Sequence, residues 1–180
     1  MSAHFRIWVV IILFAATSVT AIHSQNTASP IKPSQSASVS QQIAGTNISI
    51  QYSRPVARGR ELYGKLVPYG KIWNPGADDA TSITVSTPVK INGQSLPAGG
   101  YSIWANPGPD QWTLIFSKAH PVFHIPYPGE EKDALRLTVK PRPAAHMETL
   151  AFYFPVVDGK KAEMVLHWGT VAVPVEIVVP

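Results

Sequence analysis

The residues best suited to bind a ligand lie within the segment 54–81, which lacks the alternation of a β-strand. Arg58 and Arg60 stand two residues apart, and their planar guanidinium groups suit a carboxylate, phosphate or sulfate. Tyr69 and Trp73 follow in the same segment and could offer a flat surface to a sugar or an aromatic ring. One interpretation of the segment is therefore a binding site for a small anionic molecule.

The same segment allows a structural interpretation, which the sequence favours. Asp78, Asp79 and Glu61 could form ion pairs with the arginines, because such pairs occupy charged side chains as readily as ligand sites do. Trp73 would then close one end of the hydrophobic core. Both interpretations remain open, and both depend on the same side chains. The candidate ligand-binding residues are Arg58, Arg60, Tyr69, Trp73 and Asp78.

Two histidines, His120 and His124, are the candidates for metal ligands. A spacing of four residues brings two imidazoles together only on a helix. Pro121 and Pro126 interrupt this segment and predict a loop instead. We therefore predict no metal site here.

Catalytic chemistry finds little support in the sequence. The chain has no cysteine, which excludes disulfides, thiolate metal sites and cysteine nucleophiles. Ser102 follows Gly100-Tyr101 but lacks the second glycine of a nucleophile elbow. The acidic pairs at 78–79 and 130–131 are typical of solvated loops. We predict no catalytic residue and no cofactor.

The first 21 residues have the layout of a secretory signal peptide. Arg6 precedes an apolar run at 7–16, and the small residues Val19 and Ala21 follow it. The run has about 10 residues, whereas a membrane-spanning helix needs roughly 20. We expect cleavage after residue 21, no membrane span in the mature chain, and export to the periplasm or the exterior.

Residues 22–45 are predicted to form a disordered linker, and residues 46–180 a single folded domain. The linker is rich in Ser, Gln and Ala and has only one charged residue, Lys32. The formal net charge is +4, or +3 without Arg6, which is too small to indicate nucleic-acid binding.

The domain is predicted to be all-β. Ile83, Val85, Val89 and Ile91 alternate with polar residues, and the run ends at a hairpin pair, 92–93. Later runs alternate in the same way, and the 17 prolines of the chain disfavour long helices. About eight short strands in an antiparallel β-sandwich are expected, with a small β-barrel as the alternative.

Several motifs in fixed order resemble a known family. The resemblance rests on Tyr52-Ser53-Arg54-Pro55, Arg58-Gly59-Arg60, Leu66-Val67-Pro68-Tyr69-Gly70-Lys71-Ile72-Trp73, Gly76-Ala77-Asp78, Leu96-Pro97-Ala98-Gly99 and Leu166-His167-Trp168. These motifs resemble those of the secreted bacterial proteins grouped as domain-of-unknown-function family 2911. The resemblance covers residues 48–178 and implies an exported domain without an assigned activity. Asn74 and Asp78 depart from the family pattern, which has Arg and Asn there.

Taken together, the sequence predicts an exported, non-catalytic β-sandwich that binds a small molecule, a glycan or an envelope protein. An envelope hydrolase acting through the 54–81 segment is the first alternative. A structural interaction domain is the second. The missing set of acid, base and nucleophile favours the binding module and the structural domain over the hydrolase.

Overall fold

Ten β-strands and one turn of 3-10 helix form the secondary structure of residues 30–180, the part of the chain that the computed structural model describes. All strand pairings are antiparallel. The 3-10 turn is Glu130–Lys132. The strands are β1 (Gln35–Ile43), β2 (Thr46–Arg54), β3 (Ser82–Val85), β4 (Val89–Ile91), β5 (Gln94–Leu96), β6 (Gly99–Asn106), β7 (Trp112–Ser117), β8 (Asp133–Val139), β9 (Arg142–Asp158) and β10 (Lys161–Val178).

The strands form two sheets. One has six strands in the order β1-β2-β3-β6-β7-β8, and the other has four in the order β5-β4-β10-β9. The sheets do not close into a barrel, so the predicted β-sandwich is confirmed and the barrel alternative is wrong. The main core lies between them and includes an edge-to-face contact of Tyr52 and Phe152, whose ring centroids are 5.1 Å apart. Residues Ile31–Pro180 form one compact unit.

The predicted linker needs a correction from Gln35 onward, because residues 35–43 form β1 rather than a disordered segment. β1 pairs with the whole of β2, and the side chains of Ala37 and Val39 pack against the core. Ala44 and Gly45 connect the strands with φ of 44° and 83°, the backbone of a two-residue hairpin turn. Serines and glutamines between the apolar positions conceal this pattern in the sequence. The signal-peptide prediction for 1–21 lies outside the described residues.

The long segment after β2 is fastened to both sheets. Residues 55–57 run along β9, where the Ala57 N–H donates to the Glu148 carbonyl at 2.8 Å and the Leu150 N–H donates to that of Pro55 at 3.0 Å. Trp73 exchanges two backbone hydrogen bonds of 2.8 Å with Ala105 of β6. These contacts fix the segment that carries the predicted site. No helix within residues 30–180 has the length and apolarity needed to cross a membrane.

A second, smaller cluster covers the opposite face of the six-stranded sheet. Trp104 and Ile115 point away from the main core and pack with Ala80. Ile72 and Tyr127 cover them from two loops, before β3 and after β7. The six-stranded sheet is therefore covered on both faces over part of its area, and the loops that border the candidate site are held against it.

Candidate functional site

Arg58 lies at the first central position of a tight turn formed by residues 57–60. Its φ is 52° and that of Gly59 is 68°, and the Arg60 N–H donates to the Ala57 carbonyl at 3.1 Å. These values define a type I′ turn, which favours Asn, Asp or Gly at the position that Arg58 occupies. The Arg58 N–H also donates to Glu148 Oε1 at 2.6 Å. The arginine is thus held by its backbone, and its exposed side chain has no hydrogen-bond or ion-pair partner among residues 30–180.

Arg60 is held by its guanidinium group. Nε donates to the Ala57 carbonyl at 2.9 Å, and Nη2 donates to the Val56 carbonyl at 2.6 Å. A guanidinium group has five N–H donors, so three of them remain for another partner. The turn therefore positions Arg60 without using its charge in an ion pair within the described part of the chain.

Trp73 packs in an aromatic cluster between the two sheets. Its ring is stacked on that of Trp168, with centroids 6.1 Å apart and an interplanar angle of 17°. Trp112 and Tyr63 each contact it edge-on at 6.5 Å. The indole N–H of Trp168 donates to the Glu148 carbonyl at 3.2 Å. The predicted role of Trp73 in closing the core agrees with this packing, yet the side chain remains half-buried and lines a cleft.

Asp78 does not pair with the arginines. Its carboxylate lies 3.6 Å from Lys32 Nζ, and its carbonyl accepts the His124 N–H at 3.0 Å and lies 2.5 Å from Nδ1 of the same histidine. Asp78 also has a positive φ, of 59°. The residue fixes the loop beside the cleft rather than neutralising the arginines. Neither Asp79 nor Glu61 forms an ion pair with Arg58 or Arg60 in the described structure.

These features surround a cleft of about 340 Å³, here called the arginine cleft. It brings together Arg58, Arg60 and Trp73 with two residues that sequence reasoning did not join to them, Trp168 and His124. Its lining, as far as the described residues go, contains no carboxylate. The remaining lining residues are Pro33, Ser34, Pro55, Val56, Leu66, Val67, Gly76 and Ala77.

Tyr69 does not line the arginine cleft and is 44% exposed. It lines a separate cleft of about 310 Å³ with Tyr63 and Trp112. Burial raises the pKa of Tyr63 well above its ordinary value of 10.0, and its buried hydroxyl has no hydrogen-bond partner in the described structure. A further cleft, of about 330 Å³, has both Tyr69 and Arg60 in its lining, so Tyr69 lies near one of the two arginines although it does not line the arginine cleft.

The two candidate metal ligands are also separated. His120 packs against Gly100 and lines a third cleft, of about 570 Å³, with Asp79 and several serines. His124 lines the arginine cleft. Residues 30–180 contain no group of three or more His, Asp or Glu side chains arranged to hold a metal ion.

The carboxylate of Glu148 has two hydrogen-bond partners at the edge of the site. His146 Nε2 lies 2.9 Å from its Oε2, and the Arg58 N–H donates to its Oε1. The hydrogen bond with His146, followed by that with Arg58, lowers the pKa of Glu148 below its ordinary value of 4.5. Glu148 therefore keeps its negative charge while fixing the turn that carries Arg58.

Comparison with known proteins agrees with the resemblance seen in the motifs. No curated protein and no solved structure matches the chain. A family model described as "Protein of unknown function (DUF2911)" matches residues 34–177. The match begins just before β1 and ends in β10, so it spans both sheets and the arginine cleft. The chain therefore belongs to the DUF2911 family.

Proposed function

We propose that the domain is a binding module that takes a small carboxylate with an apolar or ring-shaped body in the arginine cleft. The observation that carries the proposal is that Arg58 and Arg60 line one cleft and that neither guanidinium group forms an ion pair among the described residues. Two like charges at a concave surface favour an anion, because they repel each other until one is bound.

The geometry of Arg60 supports a planar anion. Two of its donors already hold the carbonyls of Ala57 and Val56, so little side-chain freedom remains to be lost on binding. The three remaining donors suit a carboxylate, which accepts paired N–H groups from a guanidinium fork. Binding would therefore gain from a preorganised donor.

The rest of the lining supports an apolar body. Trp73 and Trp168 lie among proline, valine and leucine side chains, and ligand clefts of this kind bury apolar groups while a few polar groups fix orientation. An aromatic or aliphatic acid fits this combination better than a neutral sugar or an inorganic ion. The carboxylate-free lining also favours binding over hydrolysis, since glycosidases require paired carboxylates and serine triads usually contain one.

Two probes test the proposal: benzoate and its neutral analogue benzyl alcohol. Each is added to the protein in increasing amounts while the tryptophan fluorescence is measured. Benzoate should bind saturably, and benzyl alcohol should bind about tenfold more weakly or worse, which corresponds to about 1.4 kcal/mol. Arg58→Asn should weaken the binding of benzoate by a similar factor and leave the binding of benzyl alcohol unchanged. Equal binding of the two probes, or no binding by either, would refute the proposal and leave the structural interaction domain.

We also propose that the module works outside the cytoplasm, in the periplasm or the exterior. The support is the sequence of residues 1–21, with Arg6, an apolar run and small residues before position 22. Mass spectrometry of the protein from its native cells should find an N-terminus near Ile22. An intact Met1 in the cytoplasmic fraction would contradict export.

A further inference from the structure

The free edge of β1 carries unpaired backbone groups at regular intervals. Ile43 and Thr46 flank the two-residue turn and form its closing hydrogen-bonded pair, so odd-numbered residues of β1 direct their N–H and C=O groups toward β2. The Ser86 N–H donates to the Asn47 carbonyl, which agrees with this assignment on the next strand. The backbone groups that point away from the sheet therefore belong to Ser36, Ser38, Ser40 and Gln42.

These outward groups have no backbone partner among residues 30–180, because β1 is the outermost strand of its sheet. The strand has nine residues, with neither a charge nor a proline. Natural proteins usually protect a free edge by charged side chains, prolines or very short strands. β1 lacks all three kinds of protection.

The other three sheet edges in this part of the chain are protected. β5 has only three residues. β8 carries Asp133 and Arg136, which form an ion pair with each other. β9 contains Pro143 and Pro155 and several charged side chains. The unprotected edge is thus specific to β1.

We propose that β1 pairs antiparallel with β1 of a second copy of this chain, across a twofold axis at Val39. Hydrogen-bonded pairs across the new seam must join even-numbered residues of both copies, and a twofold axis at position 39 meets this condition. Ser38 then faces Ser40 of the second copy, and Ser36 faces Gln42. All four outward residues of each strand gain partners, and the two six-stranded sheets become continuous.

The chemistry of β1 favours a second copy over another partner. Both strands are uncharged, so two copies meet without like-charge repulsion. Val39 is half-buried and packs at the margin of the core, and the twofold axis places two Val39 side chains next to each other on the core side. Pairing would therefore extend the core as well as the sheet. This proposal does not depend on the proposed function.

Cysteine cross-linking tests the register, because the native chain has no cysteine. In a non-hydrogen-bonded pair the Cα atoms lie about 4.5 Å apart, which a disulfide can span. Val39→Cys should therefore form covalent dimers under mild oxidation. Ser36→Cys is the matched control: its two copies would lie about 20 Å apart, six residues out of register, and should form no covalent dimer. Equal cross-linking of the two variants, or none by Val39→Cys, would overturn the proposal.

Sedimentation of the protein purified from its native cells tests self-association itself. The unsubstituted chain should be dimeric at about 100 µM, and dilution should shift it toward monomer. Ser40→Lys places two like charges close to the axis and should weaken the dimer about tenfold or more. Thr138→Lys, on the edge strand β8 of the same sheet, should leave it unchanged. A monomeric unsubstituted chain, or equal weakening by both lysines, would refute the pairing.

Discussion

Replacing Arg58 with Asn should stabilise the fold while weakening anion binding. Arg58 occupies a left-handed position, with φ of 52°, in a turn that favours Asn. An L-residue in this region costs roughly 1–2 kcal/mol, of which Asn recovers a part. The hydrogen bond to Glu148 comes from the backbone N–H and survives the change. The exposed guanidinium forms no ion pair in the described structure, so little opposing stability is lost. We expect a gain of about 0.5–1 kcal/mol.

Urea denaturation at neutral pH measures this gain, with an unchanged dependence on urea concentration as the sign that only stability has shifted. A gain of this size raises the melting temperature of a domain this long by roughly 1–4 °C. Ala44→Asn is a matched control, because Ala44 has a φ of 44° in the turn between β1 and β2, away from the arginine cleft. It should stabilise by a similar amount and leave benzoate binding unchanged.

A loss of more than about 1 kcal/mol in Arg58→Asn would refute this reasoning, because it would show that the guanidinium holds the fold. A gain in stability without any loss of benzoate affinity would instead show that the Arg58 side chain does not contribute to ligand binding. The expected combination, higher stability with lower affinity, is typical of residues retained for function at the expense of the fold.

Three further substitutions test other contacts. Asn74→Ala should lower the free energy of unfolding, measured by urea denaturation, by about 2–4 kcal/mol, because it leaves two buried backbone groups without a hydrogen-bond partner. A loss of less than about 1 kcal/mol would contradict this expectation. Glu148 has a lowered pKa, so its charged form stabilises the fold at neutral pH, and this stabilisation is lost as the pH falls below 4.5. Glu148→Gln should therefore reduce the fall in urea midpoint below pH 4.5, and an unchanged fall would contradict the role of this carboxylate. Gly169→Ala should melt well below Gly159→Ala, since both have positive φ but only Gly169 would bring a Cβ within 2.7 Å of Leu62; equal melting would disprove the clash.

The sequence predicts the sandwich because several strands show clear alternation, as β4 and β8 do. The sequence does not reveal one point at which the chain passes from one sheet to the other. Ile83, Val85, Val89 and Ile91 keep a common parity, but Val85 ends β3 in the six-stranded sheet and Val89 begins β4 in the other. All four side chains are buried in the same core, so the alternation continues although the chain changes sheet. Periodicity reports which side faces the core and not which sheet the strand joins.

The candidate site was predictable in part. Arg58, Arg60 and Trp73 meet at one cleft because they share the segment that crosses between the sheets. Trp168 could not be added from the sequence, since its stacking on Trp73 depends on how β10 lies opposite that segment. Tyr69 lines a different cleft together with Arg60, because closeness in sequence does not determine which side of the aromatic cluster a loop residue reaches.

The bonds between the 55–57 segment and β9 affect the order in which the protein folds. Arg54 Nε donates to the Leu150 carbonyl across 96 residues of chain, and the neighbouring bonds to the same strand are almost as distant in sequence. Contacts this remote require a large loop to close first, which slows folding. The hairpin of β1 and β2 can form locally, whereas the turn that carries both arginines gains its support only when β9 docks. We therefore expect anion binding to be acquired late in refolding, after most of the secondary structure.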